Sequence, residues 1–276
     1  MTVVKDIMTP DVITASLPGT REDVIEVLRG GGVSSIPVVK DGEYRGLVSR
    51  DDLLEDPDED QLALLMREVP TVEPDTTVEE CAEIILEKGE RRIPVVIDST
   101  LEGIVTVTDL IEYIAELGSD ENVGNCVENG VLTLWVETPM NIAVHVMMYG
   151  DETAACVLDD RGKMVGIVTE VDAIRSADVD TSSEKVGEGL ADEDDEWMWE
   201  GIKSTSSQLI PISRVTFPRE PVSEFMTTDV TTVVRKTDVS DAAKTMLDEG
   251  YEQLPLMRGD NLLGMVKDIN LLKTIV

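Results

Sequence analysis

The chain has 276 residues, 42% of them apolar and 3% aromatic, and its 57 acidic against 23 basic side chains leave a formal net charge of −34. That length suits one large domain or two ordinary ones with real cores, and the apolar content excludes a disordered chain. The charge excludes a nucleic-acid binder, which needs a basic face.

The acids are spread over every segment, so the charge reads as adaptation to a salty cytosol. At molar salt the Debye length is about 3 Å, which screens self-repulsion while surface carboxylates keep the protein in solution. A halophilic microbe is expected. Cys81, Cys126 and Cys156 lie far apart without a C-x-x-C pair, which fits a reducing cytoplasm. Lys5 and Asp6 interrupt any apolar leader, and the longest apolar runs fall short of a membrane span. These features predict a cytoplasmic protein with no membrane and no nucleic acid among its partners.

In chain order, the sequence repeats itself. Pro37, Gly46, Ser49 and Asp52 recur 57 residues later as Pro94, Gly103, Thr106 and Asp109, so internal repetition governs the fold. The first unit opens with Val4-Lys5-Asp6-Ile7-Met8-Thr9. It continues with a β-type run (Val12-Ile13-Thr14), a turn at Pro18-Gly19-Thr20 and a helix with Val24, Val27 and Leu28 on one face. Gly30-Gly31-Gly32 ends that helix, and two strands follow, Ile36-Pro37-Val38-Val39 and Gly46-Leu47-Val48, joined at Asp41-Gly42.

The second unit opens less cleanly, near Leu65-Met66-Arg67. Its helix carries Val78, Ala82, Ile85 and Leu86 on one face and stops at Gly89. The third is altered at its front, with Val131 to Val136 as strand, Met140 to Met148 as helix, and no proline before Ala155-Cys156-Val157-Leu158. The fourth reopens with Val222-Ser223-Glu224-Phe225-Met226-Thr227, uses Val230 to Val233 as its first strand, and restores the proline as Pro255. The units are placed at 1–60, 61–119, 120–176 and 221–276, around an inserted segment at 177–220. That insert begins with an acidic, solvated stretch including Asp192 to Glu196. Its later part, from Trp197-Met198-Trp199 through Leu209-Ile210-Pro211-Ile212 to Val215, is expected to dock on the folded body as a packed linker or a contact surface.

Each unit ends in the same stretch: Gly46-Leu47-Val48-Ser49 to Asp52, Gly103-Ile104-Val105-Thr106 to Asp109, and Gly166-Ile167-Val168-Thr169 to Asp172. The fourth copy, Gly264-Met265-Val266-Lys267 to Asn270, changes the polar residues. A hydroxyl at the end of a strand, entering a helix, sits beside unpaired N–H groups that attract phosphate. A carboxylate three residues on can accept from both hydroxyls of a ribose. Hence Ser49, Thr106 and Thr169 are candidates for phosphate, and Asp52, Asp109 and Asp172 for ribose. The same spacing is also a helix cap that stabilises by about 1 kcal/mol, and any single copy is open to that reading alone.

Within so acidic a chain an anion needs local cations. Arg91 and Arg92 precede the second unit's middle strand and suit phosphate through their forked donors; the alternative is a surface pair balancing Glu87 and Glu90. Arg45 and Arg50 flank the first motif. In the second half, Lys267 could contact phosphate and Asn270 a ribose, but that pair departs from the pattern. His145 reads as a helix-face residue. No metal-ligand spacing, P-loop or nucleophile elbow is present in the sequence.

The strand–helix–strand–strand–helix unit with its G-h-h-[ST]-x-x-[DN] ending resembles the CBS domain over nearly all of the chain outside 177–220. The resemblance implies an α/β fold of four β-α-β-β-α repeats paired into two Bateman modules, as in archaeal stand-alone proteins and the gamma subunits of the AMP-activated kinase. In those subunits the place matching Arg91-Arg92 carries basic residues that touch phosphate. The family binds AMP, ADP, ATP or S-adenosylmethionine as regulatory ligands between paired repeats, with no cofactor required. It therefore implies a non-enzymatic sensor acting on a protein partner or on its own assembly, including a homodimer. The alternative is a scaffold whose motifs are only caps, with Trp197 and Trp199 as its contact surface. The dehydrogenase that carries such repeats needs a separate barrel, for which four repeats leave no room.

Overall fold

The first extended run of each repeat lies parallel to a strand whose third residue is proline in three cases and cysteine in one, and this sets the run's length. In the computed structural model residues 1–30, 33, 35–49, 52–53, 59–119, 121–127, 130–185 and 209–276 are described, with 26, 29, 30, 178–185 and 209–215 described by backbone. Arg50, the acidic run 192–196 and Trp197-Met198-Trp199 lie outside the described residues. The first repeat contributes β1 (Ala15–Ser16), α1 (Arg21–Gly30), β2 (Ser35–Lys40) and β3 (Glu43–Ser49). The second contributes α2 (Leu62–Leu65), α3 (Val78–Lys88), β4 (Arg92–Ile97), β5 (Thr100–Thr106) and α4 (Val107–Leu117). The third holds β6 (Thr133–Trp135), α5 (Met140–Gly150), β7 (Ala154–Leu158), β8 (Met164–Thr169) and α6 (Glu170–Ser176). After β9 (Asp178–Lys185) and β10 (Leu209–Thr216) come α7 (Val239–Glu249), β11 (Gln253–Arg258), β12 (Asn261–Lys267) and α8 (Asp268–Leu271).

The opening strands are shorter than the β-branched runs suggest. Val12-Ile13-Thr14 is not a strand; Ala15 and Ser16 pair with Val38 and Val39 instead. Val230 to Val233 reduces to a single bridge, Val233 to Leu256, as the second repeat reduces to Val72 against Val95. Pro37, Pro94 and Pro255 have no N–H to give a parallel neighbour, so the ladder cannot extend past them. The third repeat has Cys156 there, and β6 runs three residues with the Cys156 N–H donating to the Leu132 carbonyl at 3.0 Å.

Each antiparallel hairpin carries a bulge beside its glycine. Val38 faces Gly46 but Val39 faces Tyr44, and the other three hairpins skip one residue at the matching place. The bulge bends the strand, and the glycine admits a neighbouring backbone there. That neighbour is the leader of another repeat. Thr9 and Ile104 exchange two backbone bonds of 2.9 and 3.0 Å, Arg67 and Leu47 two of 2.9 Å, and Thr227 and Ile167 two of 2.9 and 3.0 Å. A Cβ at Gly103, Gly46 or Gly166 would lie 2.8 Å from the carbonyl oxygen of Thr9, Arg67 or Thr227 respectively. Repeats 1 and 2 therefore swap leaders. The leader of repeat 3 likewise joins the body of repeat 4, Val123 N–H donating to Thr237 at 3.0 Å.

The chain divides into two compact units, 1–130 with 231–276, and 131–230. In the first, a five-stranded sheet runs β1-β2-β3-β5-β4, its halves joined by the pair Glu43 and Thr100. Repeat 1 packs Val24, Ile36, Val38, Val48 and Leu62 into its own core, while repeats 2 and 4 share another. There Leu110, Ile111 and Ile114 of α4 meet α7, whose fully buried Ala242 and Ala243 let the helices approach closely. Buried Ser240 ties the pair, donating to the Ile114 carbonyl at 3.1 Å and accepting from Ser119 N–H at 2.8 Å. The second unit stacks α5, through Met140, Ala143 and Met147, on the three-stranded sheet β6-β7-β8. It also contains an antiparallel β9–β10 ladder of eight residue pairs, within the stretch read as a linker. Ser, Thr and Asp in β9 hide the strand because they lack the apolar alternation that announces one. No helix among the described residues is long and apolar enough to cross a membrane.

Candidate functional site

The repeated ending has one geometry in three copies. The hydroxyl residue closes its strand in extended conformation, and the acid three residues on turns one oxygen back to it. Asp109 Oδ2 accepts from the Thr106 N–H at 2.7 Å and from its hydroxyl at 2.8 Å. Asp52 Oδ2 accepts from the Ser49 N–H and hydroxyl at 2.6 Å each, and Asp172 Oδ2 from those of Thr169 at 2.9 and 2.8 Å. The fourth copy keeps the backbone half of the cap: Asn270 Oδ1 accepts from Lys267 N–H at 3.3 Å. The capping reading is therefore part of the geometry, and it has a chemical consequence. Each hydroxyl's hydrogen is committed to the carboxylate, which leaves Ser49, Thr106 and Thr169 only acceptor capacity toward any further partner. A phosphate must look elsewhere for donors.

The second oxygen separates the copies. In Asp109 and Asp172 the bonds from the hydroxyl residue both go to Oδ2, and no other described residue is seen to donate to Oδ1. Asp52 Oδ1 accepts from Arg67 Nε at 3.0 Å. Burial raises the Asp109 pKa, against the lowering effect of its bonds to Thr106, because desolvation penalises the charged form.

The register decides which cations stand nearby. The motif's last strand residue pairs across the hairpin with Ser35 in repeat 1, Arg92 in repeat 2, Ala154 in repeat 3 and Gln253 in repeat 4. Among these, the second repeat sets a guanidinium opposite the hydroxyl. Arg91 lies one residue earlier, its carbonyl accepting from Val107 N–H at 3.0 Å. Its side chain turns away from the expected role. Nη1 and Nη2 donate to Asp268 Oδ1 and Oδ2 at 3.1 and 2.5 Å, with Glu252 at 3.6 Å from Nη2. Glu90, expected to balance that arginine, binds Arg67. Arg45 is exposed and pairs with Glu43.

Sequence reasoning missed Arg67, Glu252 and Asp268 as parts of this region. The signal for Arg67 was the second unit's irregular opening, where arginine stands in the place of Thr9 and Thr227. Asp268 gave no signal, because it lies inside a motif copy already altered at both polar positions. His145 is exposed on α5, its Nδ1 2.6 Å from the Asn141 carbonyl. Among the described residues no group of three or more His, Cys, Asp or Glu could hold a metal ion.

The CBS domain profile matches residues 4–58, 62–116, 123–178 and 222–276. The chain belongs to the CBS domain family. Its four CBS repeats pair into two Bateman modules. Protein MJ1404 of Methanocaldococcus jannaschii is 27% identical over 281 residues, covering 99% of this CBS chain and 61% of that protein. The chain thus spans less than two thirds of that relative's length. An uncharacterized conserved protein from Pyrococcus horikoshii superposes with a TM-score of 0.71 at 28% identity, with 100% of both chains covered. Protein MJ1225 of Methanocaldococcus jannaschii superposes with a TM-score of 0.70 over 100% of both chains, at 16% identity, a likeness of fold.

Proposed function

We propose that this CBS protein is a non-enzymatic cytoplasmic sensor that binds an adenine nucleotide or another adenosyl ligand, with repeat 2 as the principal seat. The observation that carries this reading is the Asp109 carboxylate, oriented through Oδ2 by Thr106, the residue that pairs with Arg92 across the hairpin. Asp109 would accept the ribose hydroxyls, and Arg92 would supply the phosphate donors that Thr106, its hydrogen committed, does not. Arginine holds phosphate oxygens through paired N–H groups. Thr169 and Asp172 offer the same carboxylate geometry without an arginine opposite, so that seat favours a ligand with less phosphate. Lys267 and Asn270 retain a cation and an amide in place of the hydroxyl and the acid. Signalling follows if the ligand binds one arrangement of the modules more tightly than another.

The test is calorimetric titration of AMP, ADP, ATP and S-adenosylmethionine into the wild-type chain and into Asp109→Ala, in molar KCl. Binding lost or weakened at least tenfold in the variant is expected. Absence of heat with all four ligands would sink the reading.

A further inference from the structure

Resting on that reading, we propose that Arg67 fills the ribose seat of repeat 1, so that the first module takes one adenosyl ligand, at Asp109, rather than two. The two carboxylates of this module, Asp52 and Asp109, cap their helices in the same way through Oδ2. They differ at Oδ1, the atom left to meet a ligand. In repeat 1 that atom already accepts a charge-assisted bond from Arg67 Nε at 3.0 Å. Asp52 keeps 13% of its side chain exposed.

Arg67 is held there from two further directions. Its backbone exchanges two 2.9 Å bonds with Leu47, which fixes its Cα over the strand that leads into Ser49. Its Nη1 donates to Glu90, a residue of repeat 2 that is 20% exposed. The bond to Glu90 is the largest cause raising the Arg67 pKa, with Asp52 adding to it, so the side chain remains a cation at every accessible pH. A ribose diol reaching Asp52 would have to replace a cation with two neutral donors while Arg67 stayed anchored on Glu90. That exchange is unfavourable, since neutral hydroxyls bring hydrogen bonds but not the Coulomb attraction of the ion pair they would displace.

The matching leader positions in the other swapped pairs show what the seat looks like without this device. Thr9 and Thr227 make the same backbone exchange with Ile104 and Ile167. Their side chains are too short to cross to a carboxylate three residues past the strand. The sites beyond them, Asp109 and Asp172, are the two with an open oxygen. Arginine in place of threonine is thus the residue change that accompanies the closed seat.

Titration of AMP, ADP, ATP and S-adenosylmethionine, each in molar KCl, decides the matter on wild type, Arg67→Thr, Arg67→Met, Asp52→Ala and Arg67→Thr/Asp52→Ala. Arg67→Met keeps the aliphatic stem as a second variant should the shorter side chain loosen the leader. The expected result is one additional equivalent bound per chain in either Arg67 variant, lost again in the double variant, with Asp52→Ala alone leaving the wild-type number unchanged. No gain in the Arg67 variants, or a wild-type site lost on Asp52→Ala, overturns the role of Arg67 while leaving the sensor reading intact. No binding in wild type and none in the variants overturns both. No binding in wild type with one equivalent gained by Arg67→Thr supports the seat and moves the sensor's ligand away from Asp109.

Discussion

Arg91 and Asp268, 177 residues apart in the chain, meet as a two-pronged ion pair between repeats 2 and 4. The Asp268 side chain is 9% exposed and that of Arg91 33%. The arginine suited by sequence to phosphate is thereby used to join two repeats that also share a core. Removing one partner of a buried pair strands the other, at about 3–5 kcal/mol where both are fully buried. Arg91 keeps a third of its surface in water, so Arg91→Ala should cost about 2 kcal/mol, below that range. Arg91→Met combined with Asp268→Leu should cost less than Arg91→Ala alone, because no charge is left unpaired. Urea denaturation of the three proteins measures the order, and equal losses for the single and double changes would dismiss the pair as a contributor.

The leader swap predicts a backbone effect at a glycine. A methyl group at Gly103 would sit 2.8 Å from both the Thr9 carbonyl oxygen and the Met8 sulfur. The sulfur can move, but the carbonyl belongs to the two-bond exchange with Ile104 and cannot retreat without breaking it. Gly103→Ala should therefore destabilise by about 1–3 kcal/mol, the usual cost of overpacking. Amide hydrogen exchange at Thr9 and Ile104 should accelerate well beyond that at Val95, which the leader does not bond. Uniform acceleration across all three would mean global destabilisation and not an undocked leader.

Much of this was legible in the chain. The offset that carries Pro37 to Pro94 and Asp52 to Asp109 established the repeats, and apolar spacing placed Val24, Leu28, Val78, Ala82 and Ile85 in cores, where all five are buried. Backbone turns were readable too: Asp41 and Gly42 adopt positive φ values of 54° and 86° in the β2–β3 hairpin. What the sequence did not disclose is long-range pairing. Nothing local to Arg91 points to Asp268, and nothing local to Asp52 points to Arg67, because both partners arrive from other repeats through the swapped leaders and the shared core. The proline that helped to recognise the repeat also shortened its first strand, an effect visible only once the parallel partner is known. The β9–β10 ladder escaped for a different reason, since Ser, Thr and Asp pair by backbone without an apolar alternation.

The cysteines make a third prediction. All three are buried and unpaired. Burial pushes Cys81 up to about 12, with the Asp109 charge adding, and Cys156 up to about 12; Cys126 is raised as well, chiefly by burial. Thiols in that state hold almost no thiolate at pH 8 and do not attack. An aromatic disulfide reagent should label none of them in the native protein and all three in guanidinium. In the folded state each rate should follow the opening of its own repeat. An adenosyl ligand held at Asp109 should slow labelling of Cys81 more than that of Cys156, because ligand stabilises the region it binds. Fast native labelling of Cys81 would contradict its burial beneath the site.

The ligand role proposed for Asp109 stands against its effect on stability, and the fourth repeat shows how the two can be separated. There Asn270 caps Lys267 N–H through Oδ1 without any charge, so an amide suffices for the structural task. Asp109 carries a charge that burial disfavours, and its folded pKa lies above the ordinary carboxyl value. Between the unfolded and folded pKa values the native protein holds more protons than the unfolded chain, so stability falls as pH rises through that window. Above it the penalty is complete. Asp109→Asn should accordingly be as stable as wild type or more stable at pH 7, with the difference closing as pH drops below the ordinary carboxyl range, where both side chains are neutral. The same change should weaken an adenosyl ligand by about ten- to a hundredfold, since hydrogen bonds to a charged acceptor contribute about 1.5–3 kcal/mol. Denaturation midpoints of the two proteins from pH 3.5 to 8, set beside their titrations with nucleotide, test both halves. A variant that lost stability at pH 7 and kept its affinity would make Asp109 a helix cap alone.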